Sequence, residues 1–184
     1  MENYDTLYTY FDVYVRHCFN FLMEKSFAIS TNTIEEHITY VSREVDLSIY
    51  YEKYTFEIYL AFHHKETDIH CYLDEIVRDI HQRKYLFGCN KISIKNAINE
   101  IKFLVLQYCE PFIRGDICAF SRVMSHRNIV NREYEVQLIE YKAKNEWNAG
   151  NYNTVARLYE SINEELTPIQ KKRYDISVKK MIPY

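Results

Sequence analysis

A chain of 184 residues with 47% hydrophobic residues fits one domain, or one domain with an appendage, and is apolar enough for a real core. Only 3 glycines and 3 prolines occur, which argues against long disordered tails and against a glycine-rich phosphate loop. The formal charge of −3 and isoelectric point near 6.2 argue against a dedicated phosphate binder.

No stretch approaches the roughly 18 uninterrupted apolar residues that a membrane span needs. The start, "MENYDTLYTYFDVYV", carries acids where a signal peptide needs bases, so a cytoplasmic protein is expected. Five widely spaced cysteines in mostly apolar surroundings then read as reduced core thiols. Tyrosine is in excess, with 18 Tyr and 10 Phe against one Trp. Its ring can be buried while its hydroxyl stays polar, so it suits cores and wet interfaces equally. Charge is uneven: residues 1–84 hold 8 Lys/Arg against 15 Asp/Glu, a balance of −7, and residues 85–184 hold 15 against 11, a balance of +4. Such a dipole would steer a basic partner toward the N-terminal half, although two ordinary solvated surfaces give the same counts.

Residues 4–24 read as a helix, with Leu7, Phe11, Tyr14, Cys18 and Phe21 at i+3/i+4 spacing. A sheet follows. "TIEEHITYVSREV" is β-branched and aromatic but alternates weakly. In "VDLSIYY" and "YTFEIYLAF", Val45, Leu47, Ile49 and Tyr51 share one face, as do Phe56, Ile58, Leu60 and Phe62. Asp46, Ser48, Tyr50, Thr55, Glu57 and Tyr59 take the other, with Glu52-Lys53 as a tight connection between the strands. "YLDEIVRDIHQRK" returns to a helical period through Leu73, Ile76, Val77 and Ile80. Ser93 is expected to cap a helix through Ile94, Ile98, Ile101 and Val105, which Pro111 ends or kinks. Asp116 caps a short helix containing Phe120 and Val123; the chain is helical again from about Tyr134, and Thr167-Pro168 opens a last helix.

The fold class expected is therefore α+β. An N-terminal helix lies on a small three-stranded antiparallel sheet (about 26–63), and a helical half ends in an α-hairpin. The expected domains are an α+β core over 1–133 and a hairpin over 134–184 packed on it as one compact unit.

In "AGNYNTVARLYESI", Gly150, Tyr152, Val155 and Tyr159, with Ala143 on the preceding helix, resemble the helix-turn-helix of a tetratricopeptide unit. No second copy occurs, and one unit cannot bury its own apolar face, so Trp147, Tyr152 and Tyr159 are expected to be buried. The order of the whole chain is similar to small bacterial immunity-type proteins of polymorphic-toxin loci. That order runs from an aromatic first helix and small sheet to a long helix ending in Arg114-Gly115-Asp116 with Phe120, then the "GNY" hairpin and the "LTPIQKKRY" close. Pro111 departs from the unbroken helix such a protein would have. The resemblance implies a cytoplasmic inhibitor of a toxin domain and supplies no catalytic residues.

The residues themselves offer little chemistry. His63, His64, His70 and Cys71 are of metal-ligand type, but their spacing fits no standard zinc pattern, so no metal or other cofactor is expected. Neither G-x-S-x-G nor H-E-x-x-H occurs. Glu35-Glu36 would point to opposite faces of a strand, and Asp74-Glu75 lie on a helix flank. Lys171, Lys172, Arg173, Lys179 and Lys180 invite a nucleic-acid reading, yet cations also complement a helix C-terminus. The favoured function is protein binding, as an inhibitor of a cognate toxin or other basic protein. Its surface is the wet sheet face with Tyr40, Tyr50, Glu57 and Tyr59, and Asp46 and Glu52 beside it. The competing classes are an enzyme with an unsignalled site, for example around His63 and His70, and a weak nucleic-acid binder using the basic tail. Membrane association is not expected.

Overall fold

Asn3 opens helix α1 (Tyr4–Cys18) by accepting the Asp5 amide on its side chain. Leu7, Phe11, Val15 and Cys18 recur at helical spacing and are buried. The single helix expected over 4–24 is two: α1 stops at Cys18, and α2 (Phe21–Glu24) turns Leu22 into the same core. The computed structural model describes residues 3–30, 37–78 and 86–181. The Glu35-Glu36 pair and Ile80 lie outside them.

Among the described residues the sheet has six strands: β1 (Ala28–Ile29), β2 (His37–Val41), β3 (Val45–Tyr51), β4 (Glu57–His64), β5 (Ile69–Tyr72) and β6 (Leu86–Phe87). The first five form an antiparallel meander in chain order, and β6 pairs with the start of β4. The expected three-stranded meander corresponds to β2–β4. The additional strands are two to four residues long, too short to show a period in the sequence. The β3–β4 connection is longer than Glu52-Lys53. Phe56 takes a left-handed φ of 57°, its amide donates to Glu52 O, and β4 starts only at Glu57.

One sheet face is core. Ile38 and Tyr40 of β2, Val45, Leu47, Ile49 and Tyr51 of β3, Ile58, Leu60 and Phe62 of β4, and Cys71 of β5 are buried with α1. Each such aliphatic or aromatic side chain contributes about 1.5–3 kcal/mol. Of the segment expected to be helical from Tyr72, the described residues contribute the last strand residue and a single turn, α3 (Leu73–Ile76), and residues 79–84 lie outside them. Helix α4 (Lys91–Tyr108) covers β4 and packs on α1 through Ile94, Ala97, Ile98, Ile101 and Val105. Its cap is Asn90, three residues earlier than expected. Ser93 is the reciprocal partner: its amide donates to Asn90 Oδ1 at 2.9 Å, and its Oγ accepts the Asn90 amide at 3.0 Å. Gly88 allows the chain to approach this core closely, since a Cβ there would lie 2.7 Å from Ile94 Cγ1 and 2.8 Å from Ile58 Cδ1.

Pro111 ends α4 and sits in the first turn of α5 (Glu110–Ile113). Asp116 then caps α6 by accepting the Cys118 amide at 2.9 Å. Helix α6 (Ile117–Asn148) is one element where two were expected, because residues 117–148 contain neither glycine nor proline to break it. By contacts the chain divides into Met1–Ser125 and His126–Tyr184. That division and the expected boundary at 133/134 both fall within α6.

The second unit has its own buried cluster of Ala143, Val155, Tyr159, Ile162 and Leu166. Gly150 ends α6 with φ +79°; its amide donates to Trp147 O and the Asn151 amide to Glu146 O, a paired C-terminal cap that a left-handed residue makes possible. Helix α7 (Tyr152–Glu160) and a short 3₁₀ turn follow. Then comes α8 (Pro168–Met181), opened by Thr167, whose amide donates to Gln170 Oε1 at 2.7 Å. Tyr159 is buried as expected, whereas Trp147 and Tyr152 are half-buried. They meet edge to face at 5.3 Å, with the Arg173 guanidinium 5.5 Å from the Trp147 ring and Lys180 Nζ 3.7 Å from the Tyr152 ring.

Candidate functional site

Strand pairing arranges the second sheet face in three rows. His37, Tyr50 and Tyr59 are opposite one another across β2, β3 and β4. Thr39, Ser48, Ala61 and Tyr72 form the next row, and Val41, Asp46, His63 and His70 the third. Because side chains alternate along a strand, each row is two residues from the next and all three point the same way.

The first row is aromatic. The Tyr50 and Tyr59 rings stack at 4.7 Å and 11°, and His37 stacks on Tyr50 at 5.0 Å. Tyr72 extends the aromatic area, its ring 6.2 Å from that of Tyr59. Tyr59 and Tyr72 are 38% and 45% exposed, so this is surface and not core. Burial raises the Tyr59 phenol above its ordinary pKa, with smaller contributions from Tyr50, Glu52, Tyr72 and Glu57. Glu57 stands at the start of β4, two residues from Tyr59, and Glu52 in the β3–β4 connection. The middle row is small across β2–β4, with a Thr39–Ser48 hydroxyl hydrogen bond of 2.8 Å and Ala61 almost covered, and ends in Tyr72 on β5.

The third row is ionisable. His63 and His70 stack at 4.1 Å and 5°. Asp68, in the β4–β5 turn, sets Oδ1 2.9 Å from His63 Nε2 and 3.9 Å from His70 Nε2. Asp46 lies behind His63, with Oδ2 3.9 Å from Nδ1. Lys65 Nζ is 2.8 Å from Asp46 Oδ1, an ion pair without hydrogen-bond angles, and it donates to Ser42 O at 2.6 Å.

Of the residues expected here, Asp46, Tyr50, Glu57 and Tyr59 share the face, and Glu52 lies at its edge. Tyr40 does not. It is fully buried opposite Leu47, and its hydroxyl donates to Val15 O at 3.4 Å. "HITYV" carries an apolar or amphipathic residue at every second position in either phase, so sequence alone misassigned its phase. The ligand-type cluster also separates: His63 and His70 face outward, whereas His64 and Cys71 are buried on the core side. His37, Asp68 and Tyr72 were missed. For His37 and Tyr72 the signal lay in the strand register; Asp68 comes from a turn with no motif.

Two other features among the described residues bear on the enzyme reading. A shallow depression of about 420 Å³ is lined by Lys25, Ser26, Ser42, Arg43, Glu44, Ile113 and Arg114, but Lys25 is held by Glu110 at 2.9 Å. Cys18, Cys71 and Cys109 are buried, and burial pushes the Cys109 thiol up to about 12, away from the reactive thiolate. Cys89 and Cys118 are exposed, so not all five are the core thiols expected. No described helix is long and apolar enough to cross a membrane. No family model matches the chain, and comparisons with curated proteins and with solved structures return no match.

Proposed function

We propose that the chain is a protein-binding module, an immunity-type inhibitor whose outward sheet face covers a basic surface of a toxin domain. The observation that supports this most is the aromatic row. Tyr50 and Tyr59 present partly exposed, stacked rings, Tyr72 meets Tyr59 at a tilt, Glu52 and Glu57 lie beside them, and Asp46 stands two rows further along the same face. Stacked tyrosines are already ordered, so docking on them costs little side-chain entropy, and tyrosine is a frequent interface hot spot. The carboxylates lie in the part of the chain that carries −7 over residues 1–84, which favours a basic partner and speeds its encounter.

A nucleic-acid role for the basic tail has less support. Arg173 and Lys180 of that cluster are placed over Trp147 and Tyr152. The deciding experiment is co-expression with a basic toxin domain encoded beside this chain, followed by pull-down at two salt concentrations. The double substitution Tyr50→Ala/Tyr59→Ala is expected to keep the fold and weaken binding by about 2 kcal/mol or more, the scale of a hot spot. Undiminished binding by the double variant would remove the face from the interface.

A further inference from the structure

We propose that His63, Asp68 and His70 form a binding site for a divalent transition metal of the zinc class. The spacing of these residues matches no zinc motif, and the hairpin supplies what the spacing lacks. β4 and β5 place the two histidines directly opposite each other, and the turn between them returns Asp68 to the imidazole edges. One ligand atom from each residue lies within 4.8 Å of the others. Metal–ligand bonds of about 2.0–2.1 Å in a tetrahedron put ligand atoms about 3.3 Å apart. The two distances from Asp68 Oδ1, 2.9 Å to His63 Nε2 and 3.9 Å to His70 Nε2, bracket that value. To admit an ion the two stacked rings must tilt apart until both ligand nitrogens point at a common centre, a motion that the exposed side of the hairpin leaves room for at His70.

The surroundings fit the same reading. Asp46 stands behind His63 on the Nδ1 side, the position from which a carboxylate orients a metal-bound imidazole and raises its basicity. Lys65 pairs with the other Asp46 oxygen, Oδ1, at 2.8 Å. Two imidazoles and one carboxylate favour zinc, cobalt, nickel or copper over magnesium or calcium, which take oxygen ligands. Three protein ligands leave a fourth position for water or for a donor atom from another molecule. The Asp68 side chain is 86% exposed and that of His70 56%, so the ion can enter and exchange. His64 and Cys71 contribute nothing, because both are buried on the opposite face.

This inference does not depend on the protein-binding reading, since the isolated chain would take the ion with no partner present. The test is titration of the chelator-treated full chain with Co²⁺, followed by displacement with Zn²⁺. One equivalent is expected to bind with visible absorption of a low-symmetry cobalt site and no intense thiolate charge-transfer band. Mg²⁺ should not compete. His63→Ala/His70→Ala should abolish saturable binding and Asp68→Asn weaken it at least 10-fold. Asp46→Asn, which acts through His63, should weaken it about 10-fold, as losses behind a ligand do. Absence of saturation near one equivalent would overturn the proposal. So would a thiolate band assigning the metal to Cys89 or Cys118, or parental affinity in the double histidine variant. Should the double variant fail to fold by circular dichroism, parental affinity in Asp68→Asn would overturn it equally.

Discussion

Tyr50 and Tyr51 are neighbours in β3 and point to opposite sides of one sheet. The Tyr51 ring is fully buried against Phe11 and Tyr4, and its hydroxyl donates to Gly88 O at 2.6 Å. Tyr50 lies between His37 and Tyr59 on the outward face, with rings as its neighbours on both sides. A buried phenol must find an acceptor or lose stability, so a core tyrosine is defined by its hydroxyl partner. A surface tyrosine can leave its hydroxyl to water and is defined by what its ring stacks on. The same residue type therefore reports on structure on one face and on recognition on the other.

Substitution separates the two roles most widely. Tyr51→Ala should cost about 3–5 kcal/mol in urea denaturation, the range for removing a large buried ring. A loss below about 1 kcal/mol would show that the core collapses around the gap. Alkaline titration comes next. Burial pushes Tyr51 up to about 12 and Cys109 to about 12, and raises Tyr40 further. These folded values exceed the unfolded ones, so the stability they carry is complete below about pH 9–10 and declines as pH rises toward 12. For Tyr51 alone the loss is roughly 2–3 kcal/mol by pH 12. Tyrosinate absorbance should therefore rise in two stages, surface tyrosines first and the buried ones together with unfolding. A single stage near pH 10 would contradict this.

Gly88→Ala tests the core face without replacing a tyrosine. Its new methyl would meet Ile94 and Ile58 and lie 3.3 Å from Tyr51 Cε2, and overpacking of this kind costs about 1–3 kcal/mol in thermal or urea melts. The smallest effect belongs to the outward face. Tyr50→Ala/Tyr59→Ala removes the Tyr50–Tyr59 stack and the His37 and Tyr72 contacts to it, all on the surface, and should lower stability by only about 1 kcal/mol. A loss as large as that of Tyr51→Ala would mean that the outward row is also structural.

The strands β3 and β4 were legible because their alternation is strong. Val45, Leu47 and Ile49 could be separated from Asp46 and Ser48 by polarity alone. Helix ends were legible where a cap has its own chemistry, as with Asp116 and Thr167. Tyr40 was not legible, because tyrosine carries no polarity signal that selects a face. Ser93 was placed at the right terminus in the wrong role, since Asn90 three residues earlier also accepts an amide. The break between α1 and α2 left no glycine or proline to mark it.

By itself, the sequence determined the α+β class, the two strongest strands, the principal helices and the lack of a glycine-built phosphate loop. These follow from periodicity and backbone preference, which act over a few neighbouring residues. Tertiary structure decided which tyrosines are core and which are surface, and it brought Asp68 to His63 and His70. Those outcomes depend on strand register, which sets which residues stand opposite each other; a shift of one residue would send each side chain of a strand to the other face.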